Sequence, residues 1–172
     1  LCSHSRFEEQ KESLFTAGLL HKIGQLILAQ RLQTDYADLL QQAETAANDL
    51  LQMETEVFGF NHAQLGAAFI EKWGLPRILS ELTRCYPDPR QASEFHDEAQ
   101  LLYLARGLVF LVEPVRQQVV EYALEDISGW QQCGLQPELI TEACHYANQQ
   151  VLDTMESLGM VQMRIELEEE YA

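Results

Sequence analysis

Three short stretches hold the residues able to do chemistry. In the first, Ala17-Gly18-Leu19-Leu20-His21-Lys22-Ile23-Gly24-Gln25-Leu26-Ile27-Leu28, the pair His21-Lys22 is the polar step inside an apolar helix. An imidazole placed there needs a partner or stays neutral, because an unpaired buried polar group costs about 1–3 kcal/mol. A hydrogen bond to a backbone carbonyl would satisfy it, and so would a metal ion. Lys22 works against the metal: a protonated amine has three donors and no lone pair, and it repels a divalent ion at coordination distance. The second stretch, Glu56 to Pro76, carries His62 in the first turn of a helix, where the positive helix end disfavours a protonated ring. The third is the pair Cys85-Tyr86.

Other polar residues are read as structural or solvated. His96 and Asp97 are neighbours in sequence, but consecutive helical residues point about 100° apart and do not readily converge on one ion. His145 lies beside an apolar stripe, structural or exposed, and His4 falls in a short polar end. The four cysteines, Cys2, Cys85, Cys133 and Cys144, form no Cys-x-x-Cys pair. They read as reduced, mostly buried thiols, not as a disulfide frame or zinc site.

Helices must position these groups. Apolar spacing predicts a helix over 7–32, with Phe15, Leu19, Ile23, Leu26 and Ile27 on one face. Gly18 and Gly24 inside it each cost about 1 kcal/mol against alanine, which close packing of another helix would explain. Thr34 is placed to cap a second helix over 35–56, whose apolar face includes Tyr36, Leu39, Leu40, Leu50 and Met53 and whose Gln- and Glu-rich face is solvated. The stretch around His62 is fully punctuated. Asn61 and Gln64 form a capping box, Phe60 and Leu65 a hydrophobic staple, Gly74 the left-handed stop, and Pro76 bars continuation. Leu65, Ala68, Phe69 and Trp73 are expected to be its buried face. Further helices are expected over 94–112, with Ser93 as cap, over 115–124, and from Pro137 to near Gly159. Val161, Met163, Ile165 and Leu167 alternate with polar residues, a strand signal ahead of the acidic run Glu168–Glu170.

Two of these stretches resemble a known family. Leu19-Leu20-His21-Lys22-Ile23-Gly24-Gln25 is similar to the Leu-Leu-His-Asp-Ile-Gly-Lys signature of the HD metal-dependent phosphohydrolases, with Lys22 at the metal-binding Asp. Gly59, Phe60, His62, Gly66, Ala67, Trp73, Leu75 and Pro76 match the Gly-Phe-x-His-x-x-x-Gly-Ala-x-Leu-x-x-x-Trp-x-Leu-Pro segment of HDOD domains, HD-related output domains of bacterial signalling. Where that family often carries a His-His pair, this chain has Cys85-Tyr86. The resemblance is clear from Phe15 to Pro87 and generic beyond. It implies an all-α, compact multi-helix HD-like bundle over 1–159, lacking the family's first helices. The tail differs: from its alternation alone, 160–172 reads as an acidic tail with a short C-terminal strand that pairs with a second copy, or as the continuation of a helix into a neighbouring domain. HD proteins also place a histidine upstream. His4 sits too near His21 for that role unless residues are missing between the two; both readings stay open.

The resemblance and the substitutions together lead to an expectation for function. HD hydrolysis needs a cation that makes a hydroxide from water and steadies phosphoryl charge. With Lys22, Cys85 and Tyr86 in place of ligands, the residues left do not hold one. The chain is expected to be a non-catalytic bacterial signal-transduction domain acting through protein contacts, without metal or other cofactor. His21, Lys22, His62, Cys85 and Tyr86 would line a vestigial pocket, with Lys22 pairing with a carboxylate that faces it. The alternatives are a metal-dependent phosphodiesterase, or a sensor binding a small anion or nucleotide in that pocket. Expected partners are proteins, among them receiver or cyclic-di-nucleotide-related domains, or a second copy across a homodimer.

Composition sets the outer bounds. The chain has 172 residues, 47% of them hydrophobic, enough for one domain with a substantial core. Twenty-seven acidic against eleven basic residues give a net charge of −16. Such a field repels phosphate backbones, so no nucleic-acid partner is expected. The longest apolar run, Leu101 to Val112, is interrupted by Arg106 and cannot span a bilayer. The reduced-thiol reading of the cysteines gives the expectation of a cytoplasmic location. No signal peptide is read, but Leu1 in place of Met suggests part of a longer polypeptide, whose upstream part could carry a targeting signal.

Overall fold

A computed structural model describes residues 2, 6–46, 49–109, 130 and 133–157. These residues are all-α, with no strand among them. The helices are α1 (Lys11–Leu20), α2 (Ile23–Ala46), α3 (Leu50–Phe58), α4 (His62–Lys72), α5 (Arg77–Cys85), α6 (His96–Val109) and α7 (Pro137–Ser157), with 3-10 turns at Glu8–Gln10 and Pro89–Gln91. The helix expected over 115–124 and the tail strand lie outside the described residues. The chain divides into two units, 2–103 and 104–172. No described helix is long and apolar enough to cross a membrane.

In the 2–103 unit, α4 is the middle helix and packs against α2 and α5, while α1 packs against α5. The helix expected over 7–32 is interrupted by a turn at His21-Lys22, and α2 restarts at Ile23. The next predicted boundary, between Leu32 and Thr34, is present as a kink inside α2. Gln33 takes φ 40°, left-handed backbone that costs a non-glycine residue energy. The single helix expected over 35–56 is also broken: the end of α2 and all of α3 cover that span, with Asp49 capping α3 by accepting from the Leu51 amide at 3.0 Å.

The approach of α2 to α4 depends on one glycine. A Cβ on Gly24 would lie 1.9 Å from the His62 carbonyl oxygen and 2.7 Å from the Gly66 nitrogen. Gly18 has nothing within 4 Å of such an atom, so the close packing expected at both glycines holds at Gly24 alone. The same contact explains why the buried face of α4 is not the one read from side-chain size. His62, Ala63, Gly66, Ala67 and Ile70 are buried, whereas Ala68 is exposed and Trp73 is 54% exposed. At Gly66 the residue facing in is small because the backbones of α2 and α4 meet there.

Above this contact, Leu28, Tyr36 and Leu39 form a buried apolar cluster packed by Leu32, Leu40, Leu50, Met53, Phe58 and Leu65. Leu79, Leu82, Cys85 and Tyr86 bury the inner side of α5 and its end. The start of α6 is held from α5, and not by the expected Ser93 cap. Glu81 Oε1 accepts from the Ser93 amide at 2.6 Å, the Ser93 hydroxyl at 3.1 Å and the Glu94 amide at 2.7 Å. In the 104–172 unit, Leu104, Leu108, Trp130, Cys133, Leu135, Ile140 and Cys144 are buried. Pro137 opens α7 as expected; the apolar stripe of α7 is buried at Ile140 and Cys144, and Val151 and Leu152 are exposed.

Candidate functional site

The local signals around α4 determine where His62 sits. Gly59 ends α3 in the left-handed conformation, φ 79°. Asn61 then caps α4 by accepting from the Gln64 amide, and the Gln64 side chain accepts from the Asn61 amide, both at 3.0 Å. His62 is thereby the first residue of α4 and comes back over the preceding helix, above Glu54.

Glu54 is fully buried and is the anion of the site. Its carboxylate accepts from the His62 amide at 2.8 Å and from the His62 ring through Nδ1, 2.7 Å to Oε2. It accepts a third bond from the Tyr36 hydroxyl of α2. A buried carboxylate is tolerable only when hydrogen-bonded and compensated in this way. It also stands at the N-terminus of α4, where the helix dipole favours negative charge. Burial raises the Glu54 pKa, but the bonds from His62 and Tyr36 outweigh it and hold the carboxyl below its ordinary value. The Tyr36 phenol is pushed up, first by burial and then by its bond to Glu54, so it stays protonated and remains a donor.

The other ring nitrogen of His62 faces α5. Nε2 stands 2.5 Å from the hydroxyl of Tyr86, which is itself buried at the end of that helix. Because Nδ1 carries the proton toward Glu54, Nε2 of a neutral ring accepts from the Tyr86 O–H. The His21 ring meets Tyr86 edge-on, with ring centres 4.8 Å apart, and its Nδ1 donates to the Gly18 carbonyl at 2.7 Å.

Of the five residues read as a vestigial pocket, three therefore come together: His21, His62 and Tyr86. The other two do not join them. Lys22 is exposed in the turn between α1 and α2 and makes no ion pair among the described residues. Among the described residues the expected Lys22–carboxylate pair is thus not formed, and the buried carboxylate of Glu54 serves His62 instead. Cys85 is buried but lines a separate cleft of about 130 Å³ with Glu71, Arg77, Ser80, Glu81 and Arg84. Adjacent residues near a helix end point about 100° apart, which sends Cys85 and Tyr86 to different sides. Burial, followed by nearby Glu81, raises the Cys85 thiol, which opposes a reactive thiolate. His96 and Asp97 are both exposed, and Asp97 pairs with Arg6 at 3.1 Å.

Glu54 and Tyr36 were not identified as site residues from the sequence. Glu54 lies among Gln and Glu residues that read as a solvated face. Its one available signal is the position eight residues before a histidine that opens a capped helix.

The donor set does not fit a catalytic metal. A histidine ligand presents one ring nitrogen to the ion while the other is held by a second group. Both nitrogens of His62 are taken, one by a carboxylate and one by a phenol. Among the described residues no group of three or more His, Cys, Asp or Glu side chains is placed to hold a metal ion.

Two histidines thus meet Tyr86 where packed helices join in an all-α domain, and the second of them opens a helix after the Gly-Phe-Asn segment. Residues 1–89, more than half of the chain, match the family model described as HDOD domain, and the chain belongs to that family. No curated protein and no solved structure matches it.

Proposed function

We propose that this chain is a non-catalytic regulatory domain of bacterial signal transduction, working in the cytoplasm through contacts with other proteins. The observation that carries this reading is the closed environment of His62. Where an HD hydrolase would turn an imidazole nitrogen to a metal ion, Tyr86 offers a hydroxyl, and Glu54 holds the opposite nitrogen. A hydrolytic metal acts by lowering the pKa of a bound water and stabilising phosphoryl charge, and both require open coordination positions. The family membership supports the same reading through its resemblance to output modules joined to receiver or cyclic-di-nucleotide-related domains.

The test is metal loading followed by hydrolysis. The 172-residue chain is incubated with manganese, iron or zinc, desalted, and assayed for metal by mass spectrometry and for cleavage of bis(p-nitrophenyl) phosphate. The expected result is sub-stoichiometric metal and no turnover. Stoichiometric metal accompanied by hydrolysis that is lost in His62→Ala would overturn the proposal.

A further inference from the structure

One face of α5 carries polar and charged groups at helical spacing. Arg77, Ser80, Glu81 and Arg84 follow one another at three- and four-residue steps, so they share that face. With Glu71 of the neighbouring α4 they line the cleft of about 130 Å³. A cavity of roughly 150 Å³ accommodates a benzene ring, so the cleft has room for a molecule of about that size.

Glu81 is the fixed point of the cleft. It is only 6% exposed, and every hydrogen bond it accepts among the described residues goes to Oε1, from Ser93, Glu94 and Phe95. Its other oxygen, Oε2, receives none. The ionic contact of Oε2 is with Arg77 Nη2 at 3.7 Å, beyond hydrogen-bond reach. A carboxylate oxygen held this deep is expected to have a donor. The bonds to Oε1 orient the side chain in advance, so a ligand that supplies an N–H meets a preorganised acceptor.

The lining charges select the kind of ligand. Two are negative, Glu71 and Glu81, and two are positive, Arg77 and Arg84. Arg84 Nη2 donates to Glu71 Oε1 at 2.7 Å, and Arg77 Nη1 pairs with Glu94 at 2.9 Å. A guanidinium has five N–H donors and a carboxylate two oxygens, so these pairs leave donors on both arginines and an oxygen on Glu71. A simple anion would meet two carboxylates, and a simple cation two guanidinium groups. A small molecule carrying both charges complements the whole lining.

We infer that this cleft binds a small zwitterion, an α-amino acid with a short side chain. Its ammonium group donates to Glu81 Oε2 and to Glu71, and its carboxylate accepts from Arg77 and Arg84. The site shares no residue with the His62 network and is independent of the role proposed above.

The test titrates L-alanine into the isotope-labelled 172-residue chain and follows backbone amide shifts by NMR. Propionate and ethylamine, which are alanine without its amino group and without its carboxyl group, are titrated in parallel at equal ionic strength. Alanine should give saturable shifts centred on Ser80, Glu81, Arg84 and Ser93. Each half-molecule should bind at least about tenfold more weakly, the size of one lost charged hydrogen bond. Glu81→Gln and Arg84→Gln should each weaken alanine by a similar factor. The Arg84 side chain is 44% exposed, and unchanged circular dichroism will show that its variant folds. The two variants should also change selectivity in opposite directions. Loss of the anion brings propionate closer to alanine, and loss of the cation brings ethylamine closer, whereas simple loosening of the fold favours neither. Alanine that does not saturate by about 10 mM, well above a millimolar Kd, overturns the proposal. So does binding of propionate or ethylamine within about tenfold of alanine, alanine binding that survives Arg84→Gln, or shifts centred on His62 and Tyr86.

Discussion

The hydroxyl of Tyr86 stands 2.5 Å from Nε2 of His62, joining the end of α5 to the start of α4 inside the core. Tyr86→Phe removes the hydroxyl and leaves the ring nitrogen buried without that partner. The expected cost is about 1–3 kcal/mol, read from urea unfolding at neutral pH. Tyr86→His places a third imidazole beside His21 and His62. Zinc affinity measured by calorimetry should then rise above that of the parent chain.

Glu54 makes stability depend on acid. Its folded pKa lies below the ordinary carboxyl value, so its contribution is fully present above the unfolded pKa of about 4.3. That contribution is lost as pH falls through the folded pKa. Glu54→Gln should cost about 1–3 kcal/mol at pH 7, because the amide cannot replace an anion accepting three bonds. It should also reduce the loss of stability between about pH 5 and pH 3. Glu54→Ala should cost more, about 3–5 kcal/mol, since His62 and Tyr36 both lose a buried partner. Chemical denaturation across that pH range checks all three.

The two glycines near His21 should respond in opposite directions. Gly24→Ala puts a methyl carbon 1.9 Å from the His62 carbonyl oxygen, and backbone cannot rotate out of its way. A cost of about 3 kcal/mol or more is expected, at or above the upper end of overpacking penalties. Gly18→Ala meets nothing within 4 Å inside a helix and should stabilise by about 0.5–1 kcal/mol. Melting temperatures of the two variants decide it.

Glu81 replaces a conventional cap at the start of α6. Three donors from Ser93 and Glu94 converge on one of its oxygens, and burial, the largest opposing influence, is outweighed by these bonds, so its pKa falls. Glu81→Ala should cost about 1–2 kcal/mol, as a lost helix cap does. Hydrogen exchange should show faster amides at Ser93 and Glu94, with those of α4 unchanged.

The elements most readable in the sequence were those specified by short-range chemistry. Asn61, Gln64 and Gly74 each act on backbone only a few residues away, and each takes its expected role. Tyr36 illustrates the opposite case. Its ring belongs to the apolar face read from periodicity, but its hydroxyl partner is eighteen residues away on another helix. Glu54 escaped for the same reason: a helix end, a glycine turn and a cap separate it from His62, and no helical period crosses that path. The inward face of α4 was misread because side-chain size was taken as a guide where backbone proximity decides. Family likeness, not spacing, brought His21, His62 and Tyr86 under one heading, and the fold places them in contact.

Tyr36, Glu54, His62 and Tyr86 belong to α2, α3, α4 and the end of α5, and a continuous series of hydrogen bonds runs through them. None of the four segments can peel away without leaving a buried polar atom short of a partner. The series therefore acts as a latch on cooperativity. Local fraying should stop at its edges, and amides on either side of it should become exposed to solvent in one shared opening event.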